Sequence, residues 1–400
     1  MPMSVRKIIF LLLLIAFPLM GHATSKGLKF FYRIGERVDR YLLQNVDTNY
    51  ITLPEHCWRF AYTNTMVGIN SYYGTLFPGT TQQLAIISRT TPSVDLGFYA
   101  GYRGLGFGYS WDVLHAYANN LSFSLGSKSL GIEFQRQVST NISGKFIDPD
   151  APKTALGELP SGLIWMRNAN LTIWYALNSG HYSHNAAIKQ SFIQKRSAGS
   201  LLLSLSYLYT DLTVQDTLTL AGIPVLSLLM DGVKSAVTQQ IAVGLGYGIN
   251  YTPNKGKVIL HAAANLQLVC YSINQISIAF DDSLKAYLPG EAMFDIKPQY
   301  PVHVTGNLRA AVSWEINRWV HLALWAQANN IRFQSRDKEI SYIRMRNWNW
   351  QVHLNIGVRL GAGKKRVREA LIDDPIPPSV PIRTSKLPKW ITDYFYSPRL

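Results

Sequence analysis

Three features of the 400-residue sequence predict an all-β fold, an antiparallel transmembrane β-barrel of about twelve strands. Many segments carry an apolar residue at every second position, and several of them run for about ten residues or more. Charged residues make up only 16% of the chain, against roughly 25% in soluble domains, while aromatics reach 12% with 22 Tyr, 16 Phe and 10 Trp. An apolar leader stands in front of these segments, as in exported proteins. The composition excludes a disordered chain, which needs few aromatics and much charge. After the leader no run reaches the ~18 consecutive apolar residues of a transmembrane helix.

In the leader, Arg6 and Lys7 form a positive region and Ile8 to Met20 is apolar apart from Pro18. Gly21-His22-Ala23 then supplies small residues before a cut after Ala23. This is the pattern of a secretory signal peptide over 1–23, with an apolar part too short to span a membrane. Residues 24–56 read as a lead-in. Leu28, Phe31, Gly35, Val38 and Leu42 recur at helical spacing, with Arg33, Glu36, Arg37, Asp39 and Arg40 on the other side. That predicts a short amphipathic helix over 28–42, on the inner leaflet or in the barrel mouth.

The barrel itself is predicted over 57–360. Its clearest strand has Trp348, Trp350, Val352, Leu354, Ile356, Val358 and Leu360 on one face. Asn349, Gln351, His353, Asn355, Gly357 and Arg359 lie on the other. Strands read near 57–69, 81–91, 95–103, 105–113, 121–138, 169–177, 198–214, 237–252, 257–273, 303–316, 320–334 and 346–360. Soluble strands run about five or six residues, whereas a tilted membrane strand needs about 9–11, so these lengths favour a barrel over a secreted β-sandwich.

Loop lengths test the count, because outer-membrane barrels have short periplasmic turns and longer outer loops. Working back from the last strand, 335–345, 274–302, 215–236 and 139–168 fall outside, and 253–256 and 317–319 fall inside. Segment 178–197 is long yet falls on the periplasmic side. Either it folds inward as a plug or the count is off by a pair. Gly126 to Ser129 is a turn candidate inside the segment read as one strand. After Leu360, Gly361-Ala362-Gly363-Lys364-Lys365-Arg366 opens a proline-rich basic tail over 361–400, which reads as a periplasmic extension and a candidate partner site.

Asp47-Thr48-Asn49-Tyr50-Ile51, followed by Pro54 and the Trp58 strand, forms one motif. Gly101 to Ser110 (GYRGLGFGYS) and Gln194 to Ser200 (QKRSAGS) form two more. Together they resemble a family of Bacteroidota outer-membrane proteins defined by a domain of unknown function, over roughly 25–360. The resemblance implies an outer-membrane barrel in a Bacteroides-like bacterium. It brings no activity and no set of catalytic residues.

Two groups of residues carry candidate chemistry. Polar residues on the face opposite the apolar stripe comprise Arg103, Asp112, Glu133, His261, Asn265, Gln267, Arg309, Glu315, His321, Gln327, His353 and Arg359. A charge facing lipid at the membrane midplane costs about 2–4 kcal/mol, so these side chains are expected to face the lumen. There they either line a pore or pair into a packed polar core. The second group is Gly180-His181-Tyr182-Ser183-His184-Asn185. His181 and Ser183, two apart on a strand, would share a face, and the imidazole would activate the hydroxyl. The arrangement is similar to the His-x-Ser of outer-membrane phospholipase A. That enzyme continues Ser-Asn-Gly, whereas His184 and Asn185 follow Ser183 here.

Cys57 and Cys270 are far apart in strand-like segments, and either a disulfide or two small apolar side chains fits them. No Cys/His spacing suits a metal, so no metal or cofactor is assigned. The net charge of +15 is scattered over loops and tail without a basic stripe or nucleic-acid motif. Outer-membrane lipid and anionic lipopolysaccharide are the expected partners. Three functions remain, in this order. The chain is a pore or transporter for small solutes, a structural or assembly barrel with a closed lumen, or a lipid hydrolase using His181 and Ser183.

Overall fold

The computed structural model describes residues 42, 46–54, 56, 58–76, 83–90, 93–113, 118–127, 129–148, 151–215, 219–220, 223–224, 233–253, 256–281, 286–295, 298, 300, 302–334 and 343–360. The segment read as a signal peptide (1–23), the one read as a helix (28–42) apart from Leu42, Cys57 and the tail 361–400 lie outside the described residues.

Alternation makes strands here because β-branched and aromatic residues suit a pleated surface with one dry face. Twelve of them follow one another in chain order. They are β1 (Trp58–Leu76), β2 (Ser93–Tyr102), β3 (Leu105–Asp112), β4 (Asn119–Gly126), β5 (Leu130–Asp148) and β6 (Ala151–Ala176). Then come β7 (Ala198–Val214), β8 (Val233–Tyr251), β9 (Val258–Asp281), β10 (His303–Glu315), β11 (Val320–Gln334) and β12 (Ile343–Leu360). Each pairs antiparallel with its sequence neighbours, and β12 pairs with β1 from Ile343↔Thr75 to Leu360↔Trp58. The pairings thus form a ring of twelve strands. Among the described residues no helix is long and apolar enough to cross a membrane.

The predicted twelve and the observed twelve are not the same set. The stretch read as one strand over 121–138 is two, β4 and β5, with a turn in which Ser127 N donates to the Leu130 carbonyl at 2.7 Å. Ser127 closes this turn by local hydrogen bonds of its N–H and hydroxyl with Leu130, which alternation alone does not register. The segment read near 81–91 is not a separate ring strand. Residues Gln83–Thr90 continue the course of β2 along β1, pairing Asn70↔Arg89 to Leu76↔Gln83 above the Val67↔Ser93 end of β2. On its other side Gln83–Thr90 pairs with β5, from Thr90↔Ile142 to Ala85↔Ile147. The two errors offset each other in the count. Within the segment read as an outer loop over 139–168, residues 139–148 and 151–168 are strand, the extensions of β5 and β6. The 274–302 region contains a strand, Ala286–Asp295, paired with the end of β9.

The connections 103–104, 127–129, 252–257 and 316–319 lie at one end of the ring, called here the turn end, together with the long segment 177–197. The two faces of the sheet differ sharply. On β7 and β8 the outward face carries Leu201, Leu203, Leu205, Val243, Leu245 and Tyr247, with Leu245 57% exposed. The opposite face carries Ser200, Ser204, Ser206, Thr210 and Gln240, all buried. The sheet is therefore dry and polar inside and apolar outside, the reverse of a soluble protein.

Candidate functional site

The interior is closed at three levels. At the turn end, residues 177–197 fold into the ring and bury Tyr182, Ser183, His184, Asn185, Ala186 and Phe192. A single helical turn, α1 (Asn185–Ile188), packs with Ile51, Leu53, Phe192, Ile259, Ala311 and Trp325. Two strand glycines leave room for this plug. A Cβ on Gly126 would stand 2.0 Å from Asn185 Nδ2, and one on Gly248 would stand 2.1 Å from the Tyr182 hydroxyl. After α1, Gln190 adopts a left-handed φ of 53° that stops the helix. Gln194 ties the plug together. Its Oε1 accepts from Ser183 N at 3.0 Å and its Nε2 donates to the carbonyls of His181 at 2.6 Å and Arg196 at 2.9 Å. A two-residue ladder, Ile51↔Gln194 and Thr52↔Ile193, fastens the plug to the lead-in.

The plug meets a buried charge cluster. Arg309 Nη1 lies 2.5 Å from Glu133 Oε2 and 3.3 Å from His184 Nε2. His184 Nδ1 shares a 3.1 Å hydrogen bond with the Tyr182 hydroxyl, and its ring is 5.1 Å from that of His261. Burial, then His261 and Arg309, holds the His184 imidazole well below the ordinary histidine range. Burial likewise pushes the Tyr182 phenol up.

Above the plug, opposite walls of the ring touch. β5 faces β11 and β12 across the interior. Gln327 Nε2 donates to Gln135 Oε1, and Gln351 Nε2 donates to Gln137 Oε1 at 3.1 Å. On β6, Asn168 Nδ2 donates to Asn349 Oδ1 at 3.4 Å, and Met166 Sδ accepts from Asn347 Nδ2 at 3.3 Å. Beyond this amide seam the inner face turns apolar, with Ile69, Tyr73, Ile142, Phe146, Ile164 and Met345 packed together. A cavity of about 40 Å³ beside the plug and one of about 20 Å³ along the seam lie within this packing. A buried water needs about 10–15 Å³ by this measure, so each has room for one to a few waters.

Each residue singled out in the sequence has a definite place in this interior. Glu133 pairs with Arg309, and Glu315 with Arg359 at 2.7 Å. Arg103 Nη1 donates to the Pro54 carbonyl at 2.9 Å, and Asp112 is buried opposite Asp95. His261 Nδ1 bonds Asn250 Oδ1 at 2.8 Å, Asn265 Nδ2 donates to Ser204 Oγ at 2.6 Å, and Gln267 Nε2 to Ser206 Oγ at 2.7 Å. His353 stacks on Trp325 at 3.7 Å and bonds Thr65 Oγ1 at 2.9 Å. Gln327 sits in the seam, and His321 lines the larger cavity.

His181 and Ser183 do not form a pair. They lie in an irregular segment rather than a strand, so two-residue spacing does not put them on one face. The His181 ring is exposed, bonded to Asn178 Oδ1 at 3.0 Å and 3.7 Å from Asp47 Oδ2, while Ser183 is buried in the plug. Cys270 is an exposed free thiol. Sequence reading passed over Gln135, Gln137, Asn168, Lys189 and Arg59. Gln135 and Gln137 follow Glu133 at period two, a signal that was present but carried no charge to draw attention.

Solved structures with a related course of chain include the outer membrane protease OmpT from Escherichia coli. That match has 8% identity, covers 77% of this chain and 98% of that one, and scores a TM of 0.40. An outer membrane channel from Pseudomonas putida F1 matches at 12% identity over 78% and 99% of the two chains, with a TM-score of 0.28. OprG from Pseudomonas aeruginosa matches at 8% over 77% and 99%, with a TM-score of 0.27. At scores this low, no property of these proteins transfers to this chain. No curated protein matches it. Residues 45–360, the whole of the ring and the end of its lead-in, match the family described as Domain of unknown function (DUF4421), and the chain belongs to that family.

Proposed function

We propose that this chain is a closed outer-membrane β-barrel with a sealed lumen, serving as a structural or assembly element rather than an open pore. The observation that carries the reading is the contact between opposite walls, Gln135 with Gln327 and Gln137 with Gln351, above a buried plug. A pore for small solutes needs a continuous aqueous path, and side chains in direct hydrogen bonding across the interior leave none. Solute transport would require both the plug and the seam to move.

The outer face supports a membrane setting. On β8, Ile241, Val243, Leu245, Tyr247, Ile249 and Tyr251 are all exposed. Ten residue steps at about 3.3 Å, tilted by about 40°, span about 25 Å, the height of the apolar band of outer-membrane barrels. At its upper edge Tyr207 donates to Gln239 Oε1 at 2.8 Å, a polar boundary. Lipid is the partner this face fits, and the separation of His181 from Ser183 gives the hydrolase reading no support.

The test is single-channel recording of the refolded mature chain in a planar bilayer, with heat-modifiable gel mobility to establish folding. The folded chain is expected to be silent. Steady conductance from the folded, unaltered chain would overturn the proposal and restore the pore.

A further inference from the structure

We propose that the turn-end half of the interior holds a small inorganic anion of chloride size, bound in the cavity that Lys189 and Tyr99 line, with Arg59 against the Tyr99 ring outside it. Arg59 on β1 is 2% exposed. Its Nη2 donates to the carbonyls of Arg103 at 2.7 Å and Leu105 at 3.4 Å. Its Nε and Nη1 are buried with no partner in hydrogen-bond geometry. Lys189, the residue after α1, reaches toward the same place. Its Nζ lies 5.9 Å from the Tyr99 ring centroid and 5.2 Å from that of Trp325, while the Arg59 guanidinium carbon lies 5.7 Å from the Tyr99 ring. Two cations thus share one aromatic ring.

The neighbouring carboxylates are engaged elsewhere. Glu133 lies within electrostatic range of Lys189, but its Oε2 is bonded to Arg309, and Glu315 is bonded to Arg359. Asp95 and Asp112 face each other four residues further along β2 and β3 from Tyr99, about 13 Å along the strand. An aromatic face softens a buried cation but does not neutralise it, and two like charges in a dry interior repel. Lys189, with no carboxylate bonded to it, is the cation that an anion from outside the chain would neutralise.

A place for one exists. The cavity of about 40 Å³ is lined by Lys189, Tyr99, Ser110, Asn120, Ser122 and His321 among others. The Tyr99 hydroxyl and His321 Nδ1 are buried there without partners in hydrogen-bond geometry and can donate, while the unpartnered Asn120 Oδ1 is an acceptor that suits a water beside the ion. Lysine ammonium, hydroxyls and a ring N–H are the donors a halide takes. The volume admits one such ion with a water or two and leaves no room for an organic acid.

The test uses the full mature chain refolded in a non-ionic detergent. Urea unfolding is followed by tryptophan fluorescence, with chloride exchanged for gluconate at constant ionic strength. Crystals grown in bromide are examined for anomalous density beside Lys189. The proposal expects an unfolding midpoint that rises with chloride and saturates, together with a bromide peak. Lys189→Met should lose both, and its midpoint in gluconate should equal or exceed that of the parent, because an uncompensated charge has been removed. Equal midpoints in both salts with no bromide peak would mean that the cavity holds water only and would overturn the proposal. A chloride effect that survives Lys189→Met would overturn it too. Should that variant fail to fold, the bromide map of the parent decides alone.

Discussion

Glu133 and Arg309 show how much a residue's value here depends on its partner. Both side chains are 7% exposed and bonded at 2.5 Å. Removing one partner strands the other charge in a dry interior, which costs about 3–5 kcal/mol, whereas the intact pair is close to neutral. Arg309→Met should therefore lower the urea midpoint sharply, and Arg309→Met with Glu133→Leu should recover most of the loss. A double variant as unstable as the single one would contradict this. His184 adds a pH dependence. Its folded-state imidazole is held well below the ordinary range, so the unfolded chain binds the proton more readily. The stability this group contributes is present above pH ~6.5 and is lost as pH falls through and below it. Urea midpoints at pH 8 and pH 5 should differ in that sense, and His184→Gln should reduce the difference.

Two elements carry separate predictions, the outward strand face and the plug. The outward face of β7 and β8 is apolar, and Leu245 lies near the middle of its exposed stripe. Leu245→Arg puts a charge against lipid at midplane depth and should cost about 2–4 kcal/mol, read as a lower urea midpoint for folding into vesicles. The same substitution near the band's edge, at Tyr251, should cost about 0–1 kcal/mol. The plug is the second element. Gln194 makes three hydrogen bonds within it and a fourth with Asn250 Nδ2 at 3.1 Å. Gln194→Ala leaves those groups buried without partners, at about 1–3 kcal/mol, and should speed proteolysis within 177–197. Unchanged protease resistance would show that the plug is held mainly by its apolar contacts.

At the scale of the whole molecule, closure has three levels, and the plug and the amide seam can be removed separately. Replacing 184–192 by a Gly-Ser segment should remove the plug yet leave single-channel recordings without steady conductance while the amide seam holds. Adding Gln135→Ala and Gln327→Ala should loosen the seam, and a conducting path should open only when the apolar cluster beyond it is opened as well. Steady conductance from the plug replacement alone would show that the seam seals nothing. The ring also changes character along its height. Gln83–Thr90 stacks above β2 and pairs directly with β5, so β3 and β4 line only the turn-end part of the wall.

The sequence by itself determined the all-β class, the period of most of the long strands and the faces of the residues in them. Those are local properties, since alternation sends successive side chains to opposite faces whatever the strand pairs with. It also marked 178–197 as a segment too long for its side of the ring. The tertiary structure alone decided what those faces meet. Alternation says that Gln135 and Gln327 face inward, but not that opposite walls approach closely enough for them to bond. Strand-like composition did not separate 121–138 into two strands, because a tight turn closed by Ser127 leaves the alternation on either side nearly intact. Spacing set His181 beside Ser183 on an assumed strand, and the plug's irregular backbone turned one outward and buried the other. Whether a ring of inward-facing polar residues is a channel or a seal depends on the distance across it, which is a property of the assembled ring and of no single segment.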